Sequence, residues 1–535
     1  MAEQRSGEAT TVNGKNGRLA RKGSGWLLGV VVIFLALGSL GGNAGGVSGA
    51  RMAVGDNLPR RQSVTAAEAE PVVARLASPT VKAGLPDTVW VDYRCPSDGG
   101  CAPSETVTLW DYGSLARLRY QQYLGYPMGP TVTVERGKPV AVPLPRQTVA
   151  GLYHVLVTAR GVALHLTYRV LPNRPVGFLA TLSPSPFLTA GSVAQVMVAA
   201  VDAYGNPVAG VGVPIRVAVE GEGFRLQRLR AGITEAQPAA LIQAERGARA
   251  ATVVVTSSRY PHQRFLLPVR VIASPAQLVA GKGAWASLAT WDALGPSAIL
   301  ARLTQEGVTH LYLQTAVGKS FFAAHLLDQI LTQAHNRGIA VIAWDYAPLT
   351  AVSQDTAAAQ AAIRFRAPLE DQVDGLAGDF EENLAASAVS AFSRGVRAAL
   401  GPRRAYVAVI YAPQFGFPTP VATLAHYVNV IAPMDYWLGT PRSLSYADVY
   451  HFVQASLIQL RQRLGTHPVP VEVIGQTQDL LDSSGFGRYN PPVYQLAAAY
   501  AAAKAGGAIG ISFYDLRTQT PAQVRAIAHF SFAGP

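Results

Sequence analysis

The sequence predicts a multidomain chain: an N-terminal transmembrane helix, two all-β sandwiches, and a C-terminal α/β domain of the (β/α)8 barrel class. Three observations carry this expectation. The uncharged stretch Gly25–Leu40 follows a basic leader. Residues 71–273 show short alternating apolar runs broken by turn residues, the pattern of sandwich strands. After residue 281, apolar runs alternate with helix-length segments, the pattern of βαβ units on a parallel sheet. The chain has 535 residues, room for several domains at roughly 100–200 residues each. Hydrophobic residues at 49% against 15% charged allow sizeable cores and exclude global disorder.

Residues 1–24 are polar and carry Lys15, Arg18, Arg21 and Lys22, which keep the N-terminus inside. With its small-residue tail, segment 25–48 reaches the length of a membrane span. Two readings stand: a signal anchor, which the long polar lead favours, or a signal peptide cleaved near Val47–Ala50. Either one places the rest of the chain outside the cytoplasm, tethered to the cell membrane or secreted. Residues 49–70 read as a linker. The only cysteines, Cys95 and Cys101, flank a Gly-rich loop. A local disulfide there agrees with an oxidising compartment.

The formal net charge of +12 raises the question of nucleic acid. The positive residues are scattered, with no Lys/Arg stripe interleaved with aromatics, so nucleic acid is not an expected partner. A basic surface facing an anionic envelope is the plainer account.

The first β domain, 71–172, holds the runs Thr88–Tyr93, Glu105–Trp110, Thr131–Val134 and Gly151–Thr158. The second, 173–273, contains Val196–Val213, in which a strand runs into the tight turn Tyr204-Gly205-Asn206-Pro207 and a second strand follows. This segment resembles the bacterial Ig-like repeats of invasins and related surface proteins, in which an Asp-x-x-Gly-Asn-Pro-Val turn recurs. The resemblance implies a spacer or adhesion module and carries no catalytic residue.

Eight runs define the barrel at 281–535: Ala284–Leu288, His310–Gln314, Ala340–Trp344, Gly375–Asp379, Tyr406–Tyr411, Val428–Pro433, Val471–Gly475 and Ala508–Phe513. Helix-like segments between them include Ser297–Glu306, Ala323–Arg337, Leu384–Leu400, Ala447–Leu464 and Val493–Ala505. Eight repeats in roughly 250 residues match the barrel's count and size. The alternative, an open doubly wound sheet, lacks a Gly-x-Gly-x-x-Gly turn after the first strand.

In this fold the chemistry sits at the C-terminal strand ends. Those ends bring Trp291, Gln314, Trp344, Asp345, Tyr411, Trp437, Gln476 and Tyr514. Aromatic faces stack on sugar rings while amides and carboxylates bind hydroxyls, so these eight are the expected substrate-binding residues for a polysaccharide or glycan. Asp379 and Glu381 lie two apart on one strand and therefore share a face. Two close carboxylates cannot both ionise cheaply, so one pKa rises and that group becomes a proton donor. No metal motif and no cofactor site are evident.

The run Asp374-Gly-Leu-Ala-Gly-Asp-Phe-Glu381 resembles the strand-four signature Asp-Gly-x-Asp-x-Asp-x-Glu of family 18 glycoside hydrolases, the chitinases and endo-N-acetylglucosaminidases. Met434-Asp-Tyr436 resembles that family's Met-x-Tyr element. The resemblance implies that Glu381 is the general acid, that Asp379 orients the substrate's N-acetyl group as nucleophile, and that Tyr436 hydrogen-bonds the acetamide. Ala377 replaces the middle Asp of the signature, and Phe513 and Tyr514 stand where the family has a strand-eight Trp. A conventional pair, Glu381 with Asp435 or Asp345 as nucleophile or base, is the alternative within glycosidases. The expected activity is hydrolysis of a cell-wall or extracellular polysaccharide, N-acetylhexosamine included. Its rival is an inactive glycan-binding or adhesive surface protein.

Overall fold

The structure, a computed structural model, describes residues 72–94, 102–112, 130–159, 162–437, 444–478 and 490–532. The expected membrane segment 25–48 and the Cys95–Cys101 pair lie outside these. Among the described residues, no helix is long and apolar enough to cross a membrane.

The first β unit packs two sheets. Val72–Leu76, Thr88–Tyr93 and Val140–Pro143 form one, and Thr80–Lys82, Val162–Leu171, Gly151–Ala159, Ser104–Tyr112 and Thr131–Glu135 form the other. Period-two alternation drives the packing: Val89, Val91, Val107, Leu109, Val155 and Val157 point inward and are fully buried. The second unit packs Phe224–Arg228, Gln237–Ala244, Val193–Val201 and Gly177–Ser183 against Phe187–Leu188, Arg264–Val271, Ala250–Thr256 and Arg216–Glu220. The Asp202–Pro207 turn joins the two units. Asp202 Oδ1 accepts from the Tyr204 and Asn206 amides at 2.9 and 3.0 Å. The Asn206 side chain donates to Thr148 O and accepts from the Ala150 amide, both at 2.8 Å. Gly205 at φ 86° needs the left-handed region that a side chain disfavours. The second strand expected after the turn is short: the chain makes one isolated bridge, Val201 to Pro207, and then the strand Val213–Pro214.

The C-terminal domain closes on itself. Its parallel strands are β1 (Gly281–Ala286), β2 (His310–Val317), β3 (Ala340–Tyr346), β4 (Gly375–Phe380), β5 (Ala405–Tyr411), β6 (Val430–Met434), β7 (Glu472–Gln476) and β8 (Gly510–Tyr514). Each pairs with its sequence neighbours, and β1 pairs with both β2 and β8, so the eight parallel strands close into a barrel, with Ser320–Phe321 added antiparallel to the end of β2. Outside lie α1 (Leu288–Glu306), α2 (Ala324–His335), α3 (Val352–Arg364), α4 (Ala386–Leu400), α5 (Val421–Leu424), α6 (Tyr446–Leu464), α7 (Val493–Ala505) and α8 (Pro521–His529). Strand alternation makes two cores. Trp285, Tyr312, Ile342, Trp344, Ala377, Val409 and Met434 fill the barrel. Leu313, Val341, Leu376, Ile410 and Phe513 face the helices.

Strand β1 begins and ends earlier than expected because Ser287 caps α1 at once, its side chain accepting from the Thr290 amide. At the bottom of the barrel Glu472 accepts from His310 Nε2 at 2.9 Å and from the Tyr312 hydroxyl. Gly283 leaves room for that network, since a Cβ there would sit 2.2 Å from His310 Nε2.

The second β unit locks onto the same end. His335 lies between Asp371 (2.8 Å) and Asp374 (3.0 Å), all buried. Thr181 donates to Asp371 at 3.0 Å and Ser185 donates to Asp374. Asp374 also takes the Val341 amide at 2.8 Å. It is a structural anchor at the N-terminal end of β4, far from the mouth.

Candidate active site

The inward-facing ends of β3 to β8 converge on a carboxyl pair. On β4, Leu376 and Phe380 face the helices, so Asp379 and Glu381 face the barrel. Both are buried, 3% and 8% exposed. Asp379 Oδ2 accepts from the Trp344 indole at 3.0 Å. Glu381 Oε2 accepts from the Tyr411 hydroxyl at 2.9 Å. The Tyr411 ring stacks on Phe417, centroids 4.0 Å apart.

Burial raises both acids above the carboxylate range. For Asp379 the indole N–H and a hydrogen bond to Glu381 pull the other way, leaving it at about 7. For Glu381 burial and the negative charge of Asp379 push the carboxyl well above its ordinary value, against a smaller opposing effect of Tyr411. The pair therefore holds a proton at neutral pH, on Glu381. Around it, Tyr346 donates to Glu382 at 2.8 Å. Tyr436 faces both acids, and Tyr514 lies 5.9 Å from the Trp344 ring and 6.4 Å from that of Tyr436. Among the described residues, no group of three or more His, Cys, Asp or Glu is arranged to hold a metal.

No protein-family model matches this chain, and no curated protein matches it. Solved structures do resemble it at low level. A β-glucuronidase from Ruminococcus gnavus is 10% identical over 84% of this chain and 88% of its own, with a TM-score of 0.38. The spore cortex-lytic enzyme SleL of Bacillus cereus is 11% identical over 50% and 78%, TM-score 0.36. A chitinase from Chromobacterium violaceum is 13% identical over 46% and 98%, TM-score 0.34. At these scores the likenesses bear on no residue of the site, and the barrel stands on its own strand order.

Of the residues expected at the site, the structure brings Asp379, Glu381, Trp344, Tyr411, Tyr436 and Tyr514 together at the mouth. Gln476 is on the inward face of β7, fully buried, and donates to Gln478 O at 3.0 Å. Four others point away from the mouth, and a fifth, Gln314, faces inward beside Trp344 but is engaged by α1. Asp345 alternates with Trp344 and so points outward, toward Asp355 of α3. Asp435 likewise points outward, toward Ser456 of α6. Both acids are fully buried, and burial raises their pKa values strongly. Neither can serve as the partner of Glu381, which removes the conventional pair. Trp437 packs in the outer core and donates to Gln495 of α7 at 3.1 Å. Trp291 belongs to the early helix α1 and is buried in the same layer. Gln314 accepts from the Leu288 amide at 3.0 Å and holds the start of α1.

Three residues join the site without having been singled out. Tyr346 follows Trp344 by two and so shares its face. Glu382 follows Glu381 and accepts from the Tyr346 hydroxyl at 2.8 Å. Phe417 sits on the loop after β5, where strand periodicity gives no signal.

Proposed function

We propose that the barrel is a glycoside hydrolase acting on an N-acetylhexosamine-containing polysaccharide outside the cytoplasm. The supporting observation is the buried Asp379–Glu381 pair, bonded by Trp344 and Tyr411 beneath a rim of tyrosines. Glu381 gives its proton to the glycosidic oxygen as the bond to the anomeric carbon breaks. The substrate's acetamide oxygen attacks that carbon, oriented and stabilised by the Asp379 carboxylate and the Tyr436 hydroxyl. Glu381, now ionised, takes a proton from a water that attacks the anomeric carbon and displaces the acetamide oxygen, which frees the product and restores both the acetamide and the protonated acid. Segment 25–48 holds this activity outside the cytoplasm, and the β units act as Ig-like spacers. The test is release of reducing ends from chitooligosaccharides, peptidoglycan and neutral glycans, with Glu381→Gln as control. Wild type and variant equally inert on all three would sink the proposal.

Ala377 favours a second reading, a barrel that binds glycans without cleaving them. It predicts saturable glycan binding, unchanged in Glu381→Gln, with no product.

A further inference from the structure

The surroundings of Asp379 leave its charge to few partners. Its inward neighbour along β4 is Ala377, a methyl group. Its cross-strand partners are Tyr346, whose hydroxyl is committed to Glu382, and Val409, which has no polar atom. Among the described residues, Oδ1 is buried without a hydrogen-bond partner. Its favourable partners are then the Trp344 indole, at 3.0 Å from Oδ2, and, to a smaller extent, the Glu381 carboxyl with which it shares the proton. Trp344 pairs in register with Ala377, so the small residue is what lets the indole reach over to Asp379.

Trp344 itself is fixed and covered. It is 7% exposed. Trp285 meets it edge-on at 5.1 Å, and Tyr514 does so at 5.9 Å. A platform for a sugar needs an open face, and this ring is buried against two aromatic neighbours.

We propose that Trp344 is a positioning residue rather than a sugar platform: its indole N–H orients Asp379 and keeps it the ionised member of the pair, so that the proton stays on Glu381. An N–H donor favours the charged form of the carboxyl it faces and cannot accept a proton in return. It therefore breaks the symmetry of two neighbouring acids. Among the described residues, the other titratable groups facing Asp379 are Glu381 beyond β4, with Glu382 next to it, Tyr346 of β3, Tyr411 of β5 and Tyr436 after β6, with Asp345 behind the strand. None of these supplies a positive charge. The catalytic consequence rests on the glycosidase reading; the proton placement does not.

The experiment is a pH titration of the full chain carrying 13C-carboxyl Asp and Glu, with the two signals assigned through Asp379→Asn and Glu381→Gln. In Trp344→Phe, which keeps a ring but loses the N–H, the Asp379 and Glu381 steps should approach each other by about one pH unit. In the Asp379→Asn background, Trp344→Phe should leave the Glu381 step where it is. Unmoved steps in a folded Trp344→Phe, or an equal shift in the Asp379→Asn background, would overturn the proposal. A second readout needs no Trp344 variant: the 15N–1H indole signal of Trp344 in the wild type should follow the Asp379 step, and a signal flat across it refutes the contact. In turnover, Trp344→Phe should lower kcat about tenfold with KM nearly unchanged, whereas a lost sugar platform would raise KM. An inert wild type would end the glycosidase proposal and leave the titrations to decide this one.

Discussion

The Tyr411 hydroxyl donates to Glu381 Oε2 at 2.9 Å, from the end of β5 to the end of β4. This bond favours the carboxylate and so works against the burial that keeps Glu381 protonated. Tyr411→Phe keeps the stack on Phe417 and deletes only the donor. Glu381 then becomes a weaker acid. Turnover near pH 7 should fall about three- to tenfold, with the alkaline limb of the rate profile moved to higher pH. A pH–kcat/KM profile of both proteins checks this.

The wild-type profile should be bell-shaped. Asp379 must be ionised, and it titrates at about 7, so activity rises through that pH. Glu381 must be protonated, so activity falls again at higher pH, and the two limbs belong to the pair as a unit. Glu381→Gln should cost about 10²–10⁴ in kcat. Asp379→Asn should remove the acid limb along with most of the rate. Both limbs surviving in Asp379→Asn would show that another group sets the acid side.

Much of this domain could be read from residue order, because strand periodicity and helix-length spacing are local. Asp379 and Glu381 could be placed on one face for the same reason. Asp345 and Asp435 were expected at the mouth from their position at strand ends alone. Their parity against Trp344 and Tyr436 carried the opposite information. Trp291 was displaced because Ser287 starts α1 within one residue of β1, and capping is a finer signal than hydrophobicity. The His335–Asp371–Asp374 lock could not be read at all. Its partners Thr181 and Ser185 lie far away along the chain and meet it only once both domains have folded.

The outward placement of Asp345 and Asp435 has its own test. Both are fully buried, and burial raises their pKa values, with Ser456 a smaller opposing influence on Asp435. A raised folded-state pKa stabilises the fold below the unfolded value and loses that contribution as pH rises through the folded value. Asn keeps the shape and has no charge to desolvate. Asp435→Asn and Asp345→Asn should melt higher than wild type at pH 8 and equal to it near pH 4. Their turnover should stay within about threefold of wild type, whereas a nucleophile or base would lose about 10³ or more.

His335 should show the opposite chemistry with the same sign. Burial alone would lower its pKa, but Asp374 and Asp371 outweigh it and raise the imidazole to about 10. The cation therefore stabilises the fold fully below about pH 6.5, the ordinary histidine value, and that contribution is lost as pH rises through about 10. Removing the cation leaves Asp371 and Asp374 buried and uncompensated, with Arg270 and Arg404 as the remaining positive charges in reach of Asp374. Breaking a buried pair in this way costs about 3–5 kcal/mol. His335→Ala should lose that much in urea unfolding at pH 7. Because Thr181 and Ser185 bond to the same two acids, the second β unit should loosen from the barrel in the variant. Faster amide exchange at Gly177–Ser183, with the β5 and β6 amides unchanged, would place the damage at this joint. Equal acceleration across the barrel would assign His335 to the core instead.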